Sequence, residues 1–123
     1  MVERLKTLKD KRGSVIVNEK NLFKIKRIFI ITGKKNVIRG NHAHKNTIQI
    51  LVNINSKCKL SITNKKSKEI IFSKEGDYIV CSKKTWLKIK FIKEGSIMVI
   101  CDKKYKKSDY INRFEDFKKL YPL

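Results

Sequence analysis

Carboxylates, histidines and long apolar runs are all scarce in this chain of 123 residues. Eleven Asp and Glu stand against 31 Lys and Arg, a formal net charge of +20. An imbalance of this size attracts anions, whether phosphorylated ligands, nucleic acid or lipid headgroups. The longest apolar runs, Ile28 to Ile31 and Ile97 to Cys101, fall far short of the roughly 18 to 20 residues that a membrane-spanning helix needs. No such span is expected. The opening residues, Met-Val-Glu-Arg-Leu-Lys, lack the apolar stretch and cleavage site of a secretory signal, so a cytoplasmic location is expected. The three cysteines, at 58, 81 and 101, form no Cys-x-x-Cys pair that would suggest zinc or redox chemistry. Each sits in an apolar stretch and reads as a buried, reduced thiol.

The positive charge is mostly lysine, spread from Lys6 to Lys119 in short pairs such as Lys34-Lys35 and Lys103-Lys104. That distribution describes a solvated, Lys-biased surface rather than a nucleic-acid patch. Arginine is rare, with five in the chain. An Arg beside other unusual residues is therefore informative, because its planar fork grips phosphates and oxyanions in a way Lys cannot.

With 41% hydrophobic residues the chain can build a core, and its length fits a single domain over residues 1–123. Apolar residues recur with period two or in β-branched blocks at Ser14 to Val17, Phe23 to Phe29, Ile48 to Val52, Cys58 to Ile62, Glu69 to Phe72, Asp77 to Val80, Trp86 to Ile92 and Ile97 to Cys101. These are strand signatures. Turn signals separate them, for example Gly33-Lys34-Lys35-Asn36, Glu75-Gly76 and Glu94-Gly95-Ser96. Strands at such spacing predict an all-β sandwich or barrel. Only the tail changes period. After a cap at Ser108 or Asp109, Ile111, Phe114 and Phe117 fall three apart and predict a short helix packed on the barrel.

Both histidines lie in one hexapeptide, Arg39-Gly40-Asn41-His42-Ala43-His44. In an extended chain residues i and i+2 share a face, so the two imidazoles stand side by side with Ala43 opposite. Gly40 lets the backbone bend between Arg39 and the pair. Two proton carriers beside one fixed cation suit proton transfer at a centre where negative charge develops on oxygen. The same His-x-His could open a metal site. However, Gln49 stands where a ligating carboxylate would be expected and no third His exists, and two imidazoles and an amide hold a transition metal poorly. No metal and no cofactor are expected.

The ordered set Arg12-Gly13-Ser14, Phe23-Lys24-Ile25-Lys26-Arg27, Arg39-Gly40-Asn41-His42-Ala43-His44-Lys45, Gln49-Ile50-Leu51-Val52, Trp86 and Asp109-Tyr110-Ile111 resembles the WxcM-like sugar 3,4-ketoisomerases. These are cupins acting on dTDP-4-keto-6-deoxyglucose. The resemblance runs from Arg12 to Phe117. It implies a metal-independent cupin jelly roll, a homodimer that exchanges N-terminal strands, and a dTDP-linked 4-keto-6-deoxy sugar as substrate in deoxysugar and lipopolysaccharide biosynthesis. It also implies that His42 and His44 carry the protons; from its place nearer Gly40 and Arg39, His42 is expected to be the base at C3 and His44 to assist at C4. Arg39 would hold the enediolate oxygen or a phosphate, Arg27 and Lys26 the diphosphate, while Gln49 and Trp86 would contact the substrate. The chain departs from the family where Tyr is common at Phe29 or Ile30, His at Leu87 and Arg at Asn112.

Two other readings share some of these features. A noncatalytic nucleotide-sugar-binding cupin would keep the phosphate contacts and lose turnover. A basic nucleic-acid-binding barrel would explain the charge but not the His pair, and the chain lacks aromatics interleaved with Arg.

Overall fold

The computed structural model describes residues 2–19 and 22–122. Its strands, in chain order, are β1 (Glu3–Arg4), β2 (Lys6–Asp10), β3 (Gly13–Val17), β4 (Arg27–Gly33), β5 (Ile38–His44), β6 (Gln49–Asn53), β7 (Lys57–Thr63), β8 (Ser67–Phe72), β9 (Asp77–Cys81), β10 (Trp86–Lys93), β11 (Gly95–Cys101) and β12 (Tyr110–Ile111). A 3₁₀ turn at Lys107–Asp109 precedes β12, and one helix, α1 (Phe114–Leu120), follows it. Two five-stranded antiparallel sheets, in the orders β1-β9-β6-β11-β4 and β12-β5-β10-β7-β8, face each other as a jelly-roll sandwich. This is the expected all-β cupin architecture with a short C-terminal helix. No helix among the described residues is long and apolar enough to cross a membrane.

The two inner faces meet in a core built from alternate residues. Leu51, Cys58, Leu60, Phe72, Ile89, Phe91 and Ile97 all lie within it, at most 1% exposed. Each large side chain so enclosed is worth about 1.5–3 kcal/mol over leaving it in water. The continuous run Gln49-Ile50-Leu51-Val52 is buried on both faces. Leu51 points inward, while Ile50 and Val52 point outward into a second cluster with Leu5, Tyr78 and Ile100, over which Ile16 and Phe23 pack. An unbroken apolar run rather than an alternating one is what a doubly covered strand requires. The cysteines are buried and free. Burial alone pushes the Cys81 thiol up to about 12, leaving it inert at neutral pH.

The structure departs from the sequence expectations at three places. Strand β4 begins at Arg27, not Phe23, because Phe23 leaves the strand direction to cover the outer cluster. Residues Lys6–Asp10, whose lysines hide the alternation, pair with β3 as a separate hairpin. Ile111 belongs to β12, opposite Ala43, and the helix starts only at Phe114. The last difference has a clear cause: Asp109 does not cap a helix but is tied by its carboxylate to β5 and the loop after it, which lays Tyr110 and Ile111 along that strand.

Candidate active site

Strand β5 presents its functional groups through an irregularity. Leu87 of β10 pairs with His42, but Lys88 pairs with Gly40, leaving Asn41 as an extra residue in β5. Gly40 and Asn41 both take the left-handed conformation, at φ 73° and 62°. Glycine adopts it freely, and asparagine is one of the few other residues to do so. A Cβ on Gly40 would also stand 3.3 Å from the Leu87 carbonyl. In a regular strand, residues 39 and 42 would face opposite ways. The extra residue reverses that, so Arg39, opposite Ile89, and His42, opposite Leu87, line the same cavity.

The imidazoles of His42 and His44 lie edge to face with centroids 5.1 Å apart. Tyr110 packs against both, at 5.0 and 4.3 Å. His42 Nδ1 is 3.1 Å from the Gly40 carbonyl oxygen, and His44 Nδ1 is 2.9 Å from Asp109 Oδ2. A carbonyl or an ionised carboxylate only accepts, so in each neutral ring the proton is assigned to Nδ1 and the lone pair to Nε2. Asp109 Oδ2 also accepts from Thr47 Oγ1 at 2.6 Å, and its Oδ1 accepts from the Asn46 backbone N–H at 2.7 Å. His44 Nε2 is buried without a hydrogen-bond partner. A polar atom in that state costs about 1–3 kcal/mol, which marks a position kept for function rather than stability.

Burial, then the neighbouring His44, lowers the His42 pKa below its ordinary 6.5, against a smaller upward pull from the Gly40 carbonyl. Burial also lowers His44; Asp109 opposes this, and the Arg27 charge adds to it. Both rings are therefore held neutral and ready to accept a proton. For Asp109, burial pushes upward, but the donors Thr47, His44 and Asn46 together outweigh it and keep the carboxyl below its usual value.

The cavity between the two sheets has a volume of about 370 Å³. Arg27, Phe29 and Ile31 from β4 and Leu51 from β6 form one wall, facing Arg39, His42, Leu87 and Ile89, with Tyr110 alongside. The Arg27 guanidinium is held at this wall: its Nη1 donates to the Tyr110 hydroxyl at 3.1 Å, and it lies 4.3 Å from the Phe29 ring centre and 5.2 Å from that of Tyr105. The fold thus brings Arg27, Arg39, His42 and His44 together from residues 27 to 44 of the chain, with one arginine on each side of the gap.

Three residues expected at the substrate lie elsewhere. Trp86 is 6% exposed and belongs to the opposite face of the sheet, where it packs with Ala43, Ile111 and Phe117 beneath the helix. Its partner Ala43 faces away from the imidazoles by strand alternation, and Trp86 follows it. Gln49 is 4% exposed and gives its amide N–H to Cys101 Sγ at 3.5 Å, supporting the interior rather than lining the cavity. Lys26 is exposed just ahead of β4 and is not part of the cavity wall. Conversely, sequence reasoning assigned no role at the site to Thr47, Tyr110 or the carboxylate of Asp109. Their signal was the triplet Asp109-Tyr110-Ile111, present in the resemblance but 65 residues from His44. Among the described residues no three His, Cys, Asp or Glu side chains are grouped as metal ligands.

The WxcM-like, C-terminal family matches residues 1–121. The chain belongs to this family. Its curated relatives include the TDP-4-oxo-6-deoxy-alpha-D-glucose-3,4-oxoisomerase of Aneurinibacillus thermoaerophilus, 31% identical over 120 residues, which covers 93% of this chain and 86% of that protein. Among solved structures, the TDP-fucose-3,4-ketoisomerase of Campylobacter jejuni is 28% identical with a TM-score of 0.83, covering 98% of this chain and 94% of its own. A double variant of a 3,4-ketoisomerase from Thermoanaerobacterium thermosaccharolyticum, in complex with TDP, is 25% identical with a TM-score of 0.85 over 100% and 96% of the two chains. The WxcM-like fold of these proteins and the present one is therefore shared from end to end.

Proposed function

We propose that this protein is a nucleotide-sugar 3,4-ketoisomerase, an intramolecular oxidoreductase that converts dTDP-4-keto-6-deoxyglucose to its 3-keto isomer in deoxysugar and surface-polysaccharide biosynthesis. The observation that carries the reading is the pair of neutral imidazoles, each with its proton assigned to Nδ1, standing 5.1 Å apart, with His42 on a cavity wall shared with Arg39 and His44 buried beside it. Moving a ketone between adjacent carbons requires little else. A base removes the proton from C3, the C–H electrons form the C3–C4 double bond, and the C4 oxygen becomes an enediolate and is protonated. The C3 hydroxyl then loses its proton, the new carbonyl forms at C3, and C4 receives a proton. No electron leaves the sugar, so the steps balance without a cofactor or a metal.

In this scheme His42, on the cavity wall, is the base at C3, and His44, backed by Asp109, assists proton return at C4. Arg39 steadies the charge on the enediolate oxygen. Arg27 takes a phosphate of the dTDP group through its fork, and the exposed Lys26 adds positive potential nearby. The buried free thiols fit a reducing, cytoplasmic setting.

A homodimer completes the proposal. The β2–β3 hairpin pairs with neither large sheet, and its Leu8 and Val15 are 52% and 58% exposed. On the edge strand β4, Ile28 and Ile30 are 56% and 61% exposed. A second copy exchanging N-terminal strands would cover this apolar edge, which a lone chain leaves in water.

Proton NMR of the protein with dTDP-4-keto-6-deoxyglucose in heavy water tests the activity. Deuterium entering at C4 of the 3-keto sugar formed and, through the reverse steps, at C3 of the remaining 4-keto sugar is expected, and chelation should leave the rate unchanged. Binding without exchange would favour a noncatalytic nucleotide-sugar-binding protein. Chelation that abolishes turnover, with recovery on adding one metal ion, would overturn the metal-free scheme.

A further inference from the structure

The C-terminal segment delivers one carboxylate to the histidine pair. Asp109 is 7% exposed and lies in the 3₁₀ turn ahead of β12, and its backbone oxygen accepts the Lys45 N–H at 2.9 Å. Its side chain receives donors only: Thr47 Oγ1 and His44 Nδ1 at Oδ2, and the Asn46 N–H at Oδ1. Thr47, 5% exposed, has its hydroxyl proton committed to that oxygen. The carboxylate can thus neither rotate away nor offer a proton. On the far side of the imidazole, Nε2 is buried and unpartnered.

We propose that Asp109, fixed by Thr47, is the positioning residue that holds His44 in the tautomer whose Nε2 accepts a proton, and that it stabilises the imidazolium once the proton arrives. A buried carboxylate bonded to Nδ1 selects that tautomer because it has no proton to give. The charged and titratable groups facing His44 are His42 on the same strand, Arg27 from β4, Tyr110 from β12 and Asp109 itself. Of these only Asp109 is anionic, so it alone favours the protonated ring. The kinetic consequences rest on the ketoisomerase reading, but the tautomer is a property of the free protein.

The test begins with that property. In the wild-type protein labelled with ¹⁵N-histidine, one- and two-bond ¹⁵N–¹H correlations should show His44 protonated at Nδ1. A signal from an Nε2–H tautomer would overturn the proposal without any variant. In Asp109→Asn the amide keeps one oxygen for Asn46 but turns its N–H groups toward His44 and Thr47. His44 should then switch to the Nε2–H form, while kcat falls by roughly 100-fold and KM by less than about threefold either way. Circular dichroism and thermal scans establish whether this variant folds. If it does not, Thr47→Val, which keeps the carboxylate, should retain the tautomer and lose about tenfold in kcat with a shifted acid limb in its pH profile. Unchanged tautomer and kcat in Asp109→Asn, or unchanged kcat and pH profile in Thr47→Val, would reduce Asp109 to a staple between β5 and the C-terminal segment. A wild type with the expected tautomer but no turnover would instead refute the ketoisomerase reading and leave the positioning role standing.

Discussion

The indole N–H of Trp86 donates to the side-chain oxygen of Asn41 at 3.1 Å, across the point where β5 and β10 slip out of register. The bond anchors the extra residue that turns Arg39 onto the same face as His42. Trp86 thereby acts on the cavity from the far side of the sheet. Replacing it by Phe keeps an aromatic ring against Phe114 and Phe117, which lie 5.3 and 5.7 Å from the indole, and removes only the N–H. The expected loss in unfolding free energy is about 0.5–1.5 kcal/mol, read by urea denaturation. Because Arg39, which steadies the enediolate, is the group set free, kcat should fall more than KM rises.

The two histidines separate by isotope exchange. His42→Asn should still bind dTDP, while turnover falls by roughly 100-fold or more, because a proton carrier is lost at similar size. His44→Asn should also slow product formation yet still wash deuterium into C3. If the His42 variant exchanges at C3 and the His44 variant does not, the two roles are interchanged.

Acid should weaken the fold in two stages. His42 and His44 have pKa values below 6.5 in the folded protein, so the unfolded chain binds more protons as the pH drops through that value. The stability of the neutral rings is present above 6.5 and is lost on acidification. Asp109, below 3.8 in the fold, acts with the same sign lower down: its contribution is present above 3.8 and goes as the pH falls through its folded value. The urea midpoint should therefore be lower at about pH 5 than at about pH 7.5, and His42→Asn should shrink the difference. An equal midpoint at both values would contradict the buried, neutral assignment.

Ile30 reports on assembly. It is 61% exposed on the edge strand β4, so a charge there costs the single chain little. Ile30→Lys should convert a dimer to a monomer in sedimentation velocity while leaving the circular dichroism spectrum unchanged. A wild type that sediments as a monomer at all concentrations would refute the dimer.

Much of the architecture was legible in the order of residues. Period-two blocks such as Cys58 to Ile62 and Trp86 to Ile92 became β7 and β10, because a half-buried strand must alternate whatever it pairs with. Lys6–Asp10 was not legible, since four of its five residues are exposed and a strand that buries so little of one face is under little pressure to alternate. Trp86 and Gln49 carried the chemistry of ligand contacts, but which face of a strand a side chain joins depends on its partner strand, and both were drawn into packing.

Local chemistry alone settled the all-β class and the side-by-side imidazoles of His42 and His44, since both follow from the alternation of a single extended chain. The shared facing of Arg39 depended on the register slip against β10, a relation between strands. The tautomer and basicity of His44 depended on Asp109, which lies 65 positions further along the chain and reaches it only because Tyr110 and Ile111 pair with β5. Contacts of that range are selected by how whole strands pack, and no local pattern encodes them.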